Sequence, residues 1–362
     1  MGASGTTARD SDRGPLALAL LLCLAAGPAE AADLEGQARV WLGPGFDSNA
    51  RRDYVSGGNG TTPDLYLYGL GEVAGTLRVG ERLTVRGGYQ LGGRAFLFLG
   101  SESTVLQDAQ LSAQLKALDW LRLGVVGRAR DRRGADRSYT DLQGGLSVEV
   151  VPDAHLVLSL AVEAHRFLYW DGFEVSFFGP DSALTASYRF DRHHGVSLWG
   201  QWSPRTYNAL AKLPPPTPDG IPGTSNLVRT DTVLGAGVSY SYRGPVHLSL
   251  SYGYLDDASS SYGQTLRRHR LGVAAGVPLP WELTALASGT LQLMQFPDGV
   301  YLSPDLLVAD DENASSVTAK LVRALGPHLE LDLRYAFYFN QMPAKGFFYR
   351  RHVLSLGVAL SY

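Results

Sequence analysis

The chain has 362 residues, 45% of them hydrophobic and 19% charged, with a formal net charge of -3 and one cysteine. That balance argues against a nucleic-acid partner held by excess positive charge, and one cysteine rules out an intramolecular disulfide framework. Beyond the N-terminal region no stretch approaches the roughly 18 to 20 apolar residues of a membrane-spanning helix, so any membrane crossing falls to strands.

Arg9 and Arg13 precede an apolar run from Pro15 to Ala26, and Ala29-Glu30-Ala31 has the small-x-small form that signal peptidase cuts. Residues 1–31 read as a cleaved signal peptide and residues 32–362 as a single mature domain. Cys23 follows Leu22 deep inside the apolar run, where a lipoprotein signal would need a small residue, so the mature chain carries no cysteine chemistry. Cleavage also removes Arg9, Arg13, Asp10, Asp12 and Glu30, which moves the formal charge from -3 to -2.

Downstream, apolar residues recur at every second position, the period that sorts side chains onto the two faces of a strand. Such segments lie near 36–47, 64–79, 82–98, 104–117, 120–131, 138–151, 155–169, 175–191, 195–204, 229–243, 245–256, 265–278, 281–295, 314–325, 328–340 and 349–362, about sixteen in all. Tight connections at Gly80-Glu81, Leu118-Asp119, 152–154, 192–194, Gly244, Leu279-Pro280 and Gly326-Pro327 alternate with longer ones at 48–63, 99–103, 132–137, 170–174, 205–228, 257–264, 296–313 and 341–348. Strands of about fourteen residues are too long for a soluble sandwich or propeller, whose strands run nearer five or six. The alternation matches an outer-membrane barrel, with short periplasmic turns and longer extracellular loops.

The faces follow from parity. Near 104–117, Ala109, Leu111, Ala113 and Leu115 point outward against Asp108, Gln110, Ser112, Gln114 and Lys116; on the next strand Leu121, Leu123 and Val125 oppose Arg122, Arg128 and Arg130. Near 328–340, Leu329, Leu331, Leu333, Tyr335, Phe337 and Phe339 oppose Glu330, Asp332, Arg334 and Asn340. Charge keeps to one parity because a basic residue on the lipid face costs roughly 2 to 4 kcal/mol at mid-membrane. Trp120, Tyr188, Phe190, Tyr240, Tyr242, Trp281 and Tyr362 fall beside the short turns or the C-terminus, and Tyr169, Trp202, Tyr252, Tyr254, Phe337 and Phe339 toward the longer loops, which predicts two interfacial belts.

The closing strand alternates Leu354, Leu356, Val358, Leu360 and Tyr362 with Ser355, Gly357, Ala359 and Ser361, and ends on the ring. It resembles the C-terminal strand of bacterial outer-membrane proteins, and the resemblance implies that 349–362 is an address for the barrel-insertion machinery. Gly45-Phe46-Asp47-Ser48-Asn49 resembles the first hairpin of a set of Gram-negative barrels that carry Gly-Tyr-Asp-Ser-Asn there, some of them behind periplasmic repeat domains in surface export. The same residues also read as turn chemistry, with Asp47, Ser48 and Asn49 bonding nearby backbone. The expected fold is an all-β, antiparallel up-and-down transmembrane β-barrel, porin-like, integral to the cell outer membrane, with both termini periplasmic.

At about sixteen strands such a barrel is wide enough for an aqueous channel. Basic lumen candidates are Arg86, Arg94, Lys116, Arg122, Arg128, Arg130, Arg189, Arg268, Arg270, Lys320 and Arg334; acidic ones are Glu72, Asp108, Asp141, Glu149, Glu163, Asp191, Glu330 and Asp332. Arg86, Arg94, Arg122, Arg128 and Arg130 suggest a weakly anion-favouring wall. The plainer reading pairs them with Asp108, Asp141 and Glu149 across neighbouring strands, since intramembrane charges tend to pair. The proline-rich loop 207–228 is stiff enough to fold over the mouth or to stand clear of it, although most loops are plain exposed connections. Asp305 and Asp310-Asp311-Glu312 lack the spacing of a calcium loop, and no His, Asp and Glu grouping has metal-ligand spacing.

His247-Leu248-Ser249 matches the minimal His-x-Ser pair of outer-membrane phospholipases and lipid A deacylases, but here parity turns the pair inward and the surrounding motif does not continue. The expected function is a channel for passive diffusion of small polar or ionic solutes, with no cofactor, no metal, no catalytic residues and no nucleic-acid partner. The alternatives are a dedicated transporter or export-partner barrel with a closed lumen and, behind it, a lipid-acting enzyme using His247 and Ser249. The 132–137 loop is too short to be the constriction loop of a trimeric porin, and a homo-oligomer interface would be ordinary apolar residues on the lipid-facing side.

Overall fold

The computed structural model describes residues 32–53, 60–134, 138–170, 172–217, 220–298, 315–342 and 347–362. The expected signal peptide and the acidic group at Asp305 and Asp310-Asp311-Glu312 lie outside the described residues.

The strands are β1 (Ala32–Asp47), β2 (Asp64–Val79), β3 (Leu83–Phe96), β4 (Thr104–Leu118), β5 (Leu121–Arg133), β6 (Tyr139–Val150), β7 (Leu156–Tyr169) and β8 (Phe177–Arg189). They continue as β9 (His194–Leu213), β10 (Gly223–Arg243), β11 (His247–Ser259), β12 (Leu266–Leu279), β13 (Leu283–Gln295), β14 (Ser315–Ala324), β15 (Leu329–Met342) and β16 (Phe347–Ser361). Each pairs with its sequence neighbours, and β1 pairs antiparallel with β16, so the sixteen strands form one closed barrel. Every strand has a partner on both sides, which satisfies the backbone without exposing a sheet edge.

Closure runs to the last residue. The Ala38 amide donates to the Tyr362 carbonyl at 2.8 Å, and the Tyr362 amide donates to the Ala38 carbonyl at 2.9 Å. Midway along this seam the pairing lapses at Gly43 and Pro44, between Leu42 opposite Val358 and Gly45 opposite Ser355. Proline has no N–H to contribute there.

The outward set is apolar, as alternation predicts. Leu354, Leu356, Val358 and Leu360 are each 45 to 56% exposed, while the intervening Ser355 and Ala359 are buried. Aromatic residues crowd the turn end: Trp120, Tyr188, Phe190, Tyr240, Trp281 and Tyr362 are exposed or nearly so, and His155, His194 and His328 lie against Tyr188, Tyr240 and Tyr362. The turn before β13 holds Trp281 and Glu282 at φ 62° and 59°. Both are left-handed conformations of the kind that match hairpin turns to the twist of their strands.

The β9–β10 hairpin is longer than alternation alone predicts. Its strands stay in antiparallel pairing as far as Leu213 opposite Gly223, which absorbs most of the expected 205–228 loop and leaves the prolines at 214–216 and 222 in the connection. Extension is sustained by packing at the base, where Tyr207 and Ala211 are buried and the Lys212 amide donates to the Ser261 hydroxyl at 2.9 Å. Pairing stops at the proline run because those residues lack the donor.

The lumen is lined by rings laid over glycines. A Cβ on Gly237 would fall 2.5 Å from the Trp199 ring, and one on Gly253 would fall 3.0 Å from it, so the indole of β9 crosses β10 and β11 only because both positions are bare. A small apolar core of Ala50, Tyr66, Phe96, Ala336 and Val353 lies at the loop end inside the barrel, where the chain after β1 turns inward. We expect Gly253→Leu to displace Trp199, the first group a side chain there would meet, and to destabilise the barrel by about 1 to 3 kcal/mol, read as a lower urea midpoint, and Trp199→Ala in the same chain to recover most of the loss.

The turn-end carboxylates act on backbone. Asp153 accepts from the His155 and Leu156 amides at 2.7 and 2.9 Å, and Asp191 from the His193 and His194 amides at 2.6 and 2.8 Å. Those N–H donors hold both carboxyls below their ordinary range. A group depressed on folding contributes stability above its unfolded value and loses it as pH falls through the folded value. Hydrogen exchange at the amides of 155–156 and 193–194 is therefore expected to lose protection as pH falls below the usual carboxylate range, before the mid-strand amides change.

Candidate functional site in the barrel lumen

The expected lumen charges face inward, with one exception. Arg86 and Arg94 project from β3, Asp108 from β4, Arg122, Arg128 and Arg130 from β5, and Asp141 and Glu149 from β6, all on the inward parity of their strands. Asp191 does not join them: it lies in the turn before β9, where capping the His193 and His194 amides uses its carboxylate. Parity counted outward along β8 could not see that the strand stops at Arg189.

The arginines divide into paired and unpaired sets. Asp108 sits between Arg128 and Arg130 and accepts from the Nε of each at 3.0 Å, while Arg122 pairs with Glu149 directly across the β5–β6 ladder. These three follow the plainer reading, in which opposite charges hold the wall together. Among the described residues Arg86 and Arg94 have no carboxylate partner; the Arg94 guanidinium stands 5.4 Å over the Tyr66 ring.

Asp141 turns to a different partner. His165 on β7, buried in the wall, places Nε2 2.8 Å from Asp141 and Nδ1 3.9 Å from Asp181 on β8. Glu163 lies one inward position away on the same strand, so β6 to β8 form an acidic arc beside the basic arc of β3 to β5. The sequence carried a signal for Glu163 in its parity, but nothing marked His165 as the group that Asp141 would hydrogen-bond, with Arg130 directly opposite it in the β5–β6 ladder.

Sequence reasoning also missed the most buried pair. Arg351 on β16 and Asp47 at the end of β1 are both fully buried; the guanidinium Nε donates to the two carboxylate oxygens at 2.9 Å each. The expected local turn chemistry is present as well, since the Asn49 amide donates to Asp47 at 3.0 Å and the His352 amide to the Ser48 hydroxyl at 2.8 Å. What sequence spacing hides is the reach across the seam, because the partners are 304 residues apart. At the other end of the seam Arg39 of β1 pairs with Glu330 of β15.

His247 and Ser249 both face inward near the turn end of β11, and no hydrogen bond joins them among the described residues. Trp120, Trp281, Tyr240, Tyr242 and Tyr362 lie at the turn end, each in or beside a short connection or at the C-terminus.

Among solved structures the chain is similar to OmpF of Salmonella typhi, in a complex with daunomycin, with a TM-score of 0.55, 15% identity, and coverage of 91% of this chain and 97% of that one. It is also similar to in-vitro folded OmpT, an outer membrane protein of Vibrio cholerae, in a trimer form, with a TM-score of 0.50, 9% identity, and coverage of 92% and 100%. The chain has the fold of a Gram-negative outer-membrane β-barrel. At these identities the likeness extends to the fold alone. No family model matches the sequence, and no curated protein matches it.

Asp47→Ala removes the carboxylate that the buried Arg351 guanidinium donates to and is expected to cost about 3 to 5 kcal/mol. Asp47→Ala with Arg351→Met removes both charges and should recover most of that. Urea unfolding followed by the electrophoretic mobility shift of the folded barrel measures both.

Proposed function

We propose that the protein is an outer-membrane channel for passive diffusion of small polar or ionic solutes, with a weak preference for anions. The observation that carries this reading is a closed sixteen-strand wall whose inward face is charged while two of its basic side chains, Arg86 and Arg94, have no carboxylate partner among the described residues. Paired charges cancel over short distances, so unpaired ones dominate the field that a passing ion meets. In this reading the tight turns face the periplasm, both termini lie there, and β16 with its terminal tyrosine directs insertion. Outer-membrane lipids then contact the apolar outer face, and any homo-oligomer would form on that face.

Refolded protein in a planar bilayer is expected to give stable single-channel steps and a salt-gradient reversal potential displaced toward the anion. Arg86→Glu should move that potential toward the cation, because it inverts a charge without stranding a carboxylate. A folded barrel that stays electrically silent would overturn the open pore and favour a closed-lumen transporter or export partner.

A further inference from the structure

On the loop-end half of the lumen a cavity of about 530 Å3 lies against the continuous arc of wall that runs from β6 through β1 and across the seam to β16, β15 and β14. Its lining is cationic out of proportion to the rest of the wall. Arg52, Arg94, Arg130, Arg132, Lys320 and Arg334 reach it, with Arg130 already paired to Asp108, against the one lining carboxylate among the described residues, Asp332. Two of these cations are set directly opposite each other, Lys320 of β14 facing Arg334 of β15 in the ladder. Like charges in that position repel and destabilise a sheet. Asp332 relieves only half of the conflict: it lies 3.2 Å from the Lys320 ammonium, and among the described residues Arg334 has no carboxylate.

The same cavity has aromatic walls. Tyr68 lies across β16 because Gly357 is bare there; a Cβ on that glycine would fall 2.1 Å from the phenol oxygen. Tyr66 lies over Gly45 in the same way, and a Cβ there would fall 2.2 Å from its ring. Tyr139 and Tyr338 complete the lining with Trp41. Guanidinium groups alternating with ring faces suit a ligand that is anionic at one end and flat and apolar at the other.

We propose that this cavity is a binding site for small arene carboxylates, with the carboxylate held by Arg334 beside Arg94 and the ring seated against Tyr68. A bound anion offsets the Lys320 and Arg334 conflict, and a bare inorganic anion would leave the aromatic wall unused. The site deepens the channel reading, since it rests on a solute-filled lumen and gives one solute class a resting place there.

Benzoate is the probe, with acetate and benzamide as controls for the ring and the charge. Equilibrium binding of radiolabelled benzoate to the detergent-folded full-length mature chain is measured beside transient blocking of single-channel current. Binding of benzoate is expected to exceed that of either control, and Arg334→Gln and Tyr68→Ala are each expected to weaken it about tenfold, the size of one charge-assisted bond or one ring contact. Arg189→Gln, at the turn end and outside the cavity, should leave benzoate binding unchanged. Folding of each variant is verified by its mobility shift, and Arg94→Gln is a second variant should Arg334→Gln not fold. Equal binding of benzoate and acetate, or benzoate binding unmoved by Arg334→Gln, would overturn the site even in an open pore. A silent barrel that still binds benzoate in this way would instead overturn free diffusion and keep the site.

Discussion

The structure depends on closing one seam. An outer-membrane barrel has no water along its outer face to satisfy a strand edge, so the first and last strands must find each other across the whole chain. Here that joint is β1 with β16, and its hydrogen bonding lapses where Gly43 and Pro44 leave the ladder short of a donor. Ion pairs brace it on either side of the lapse, Arg39 with Glu330 toward the turns and the buried Asp47 with Arg351 toward the loops. Side-chain bonds from Ser48 and Asn49 to the backbone of residues 350 and 352 add to the second brace. A fully buried ion pair is a poor source of net stability but a strong constraint on register, because a slip by one residue strands both charges.

That brace shapes the lumen. Tying residues 47 to 49 to β16 draws the start of the following loop inward, where Ala50 packs with Tyr66, Phe96, Ala336 and Val353. The loop end is thereby narrowed on one side by a small apolar core, and the charged cavity forms beside it. Opposite, Asp141 joins the acidic arc through its contact with His165, and the arc meets the basic one at the β5–β6 ladder, where Arg130 faces Asp141. The lumen therefore has a transverse division of charge that follows from which strands carry which sign.

Much of this barrel was legible in its residues. Period-two alternation, the strict exchange of short and long connections and the terminal tyrosine are local features, and each reports a backbone constraint that acts within one or two strands. The inward placement of Asp108, Arg122, Arg128, Arg130 and Glu149 was legible for the same reason. Pairing of Arg128 and Arg130 with Asp108 was nearly so, because β4 and β5 form one hairpin. Asp191 was misplaced where a strand ended early, and the β9–β10 hairpin outran its alternation because contacts at its base, not its own pattern, sustain it.

What the sequence determined by itself is the fold class, the count of about sixteen strands and the parity of most lumen charges, Asp191 excepted, since parity and hairpin connection are set by neighbours in the chain. Tertiary structure alone decided the seam brace of Asp47 and Arg351, the diversion of Asp141 to His165, and the gathering of Arg94, Arg334 and Tyr68 around one cavity. Those groups meet only when the sheet curls shut, because closure brings strands from opposite ends of the chain side by side, and which charge meets which then depends on the stagger of the closed barrel.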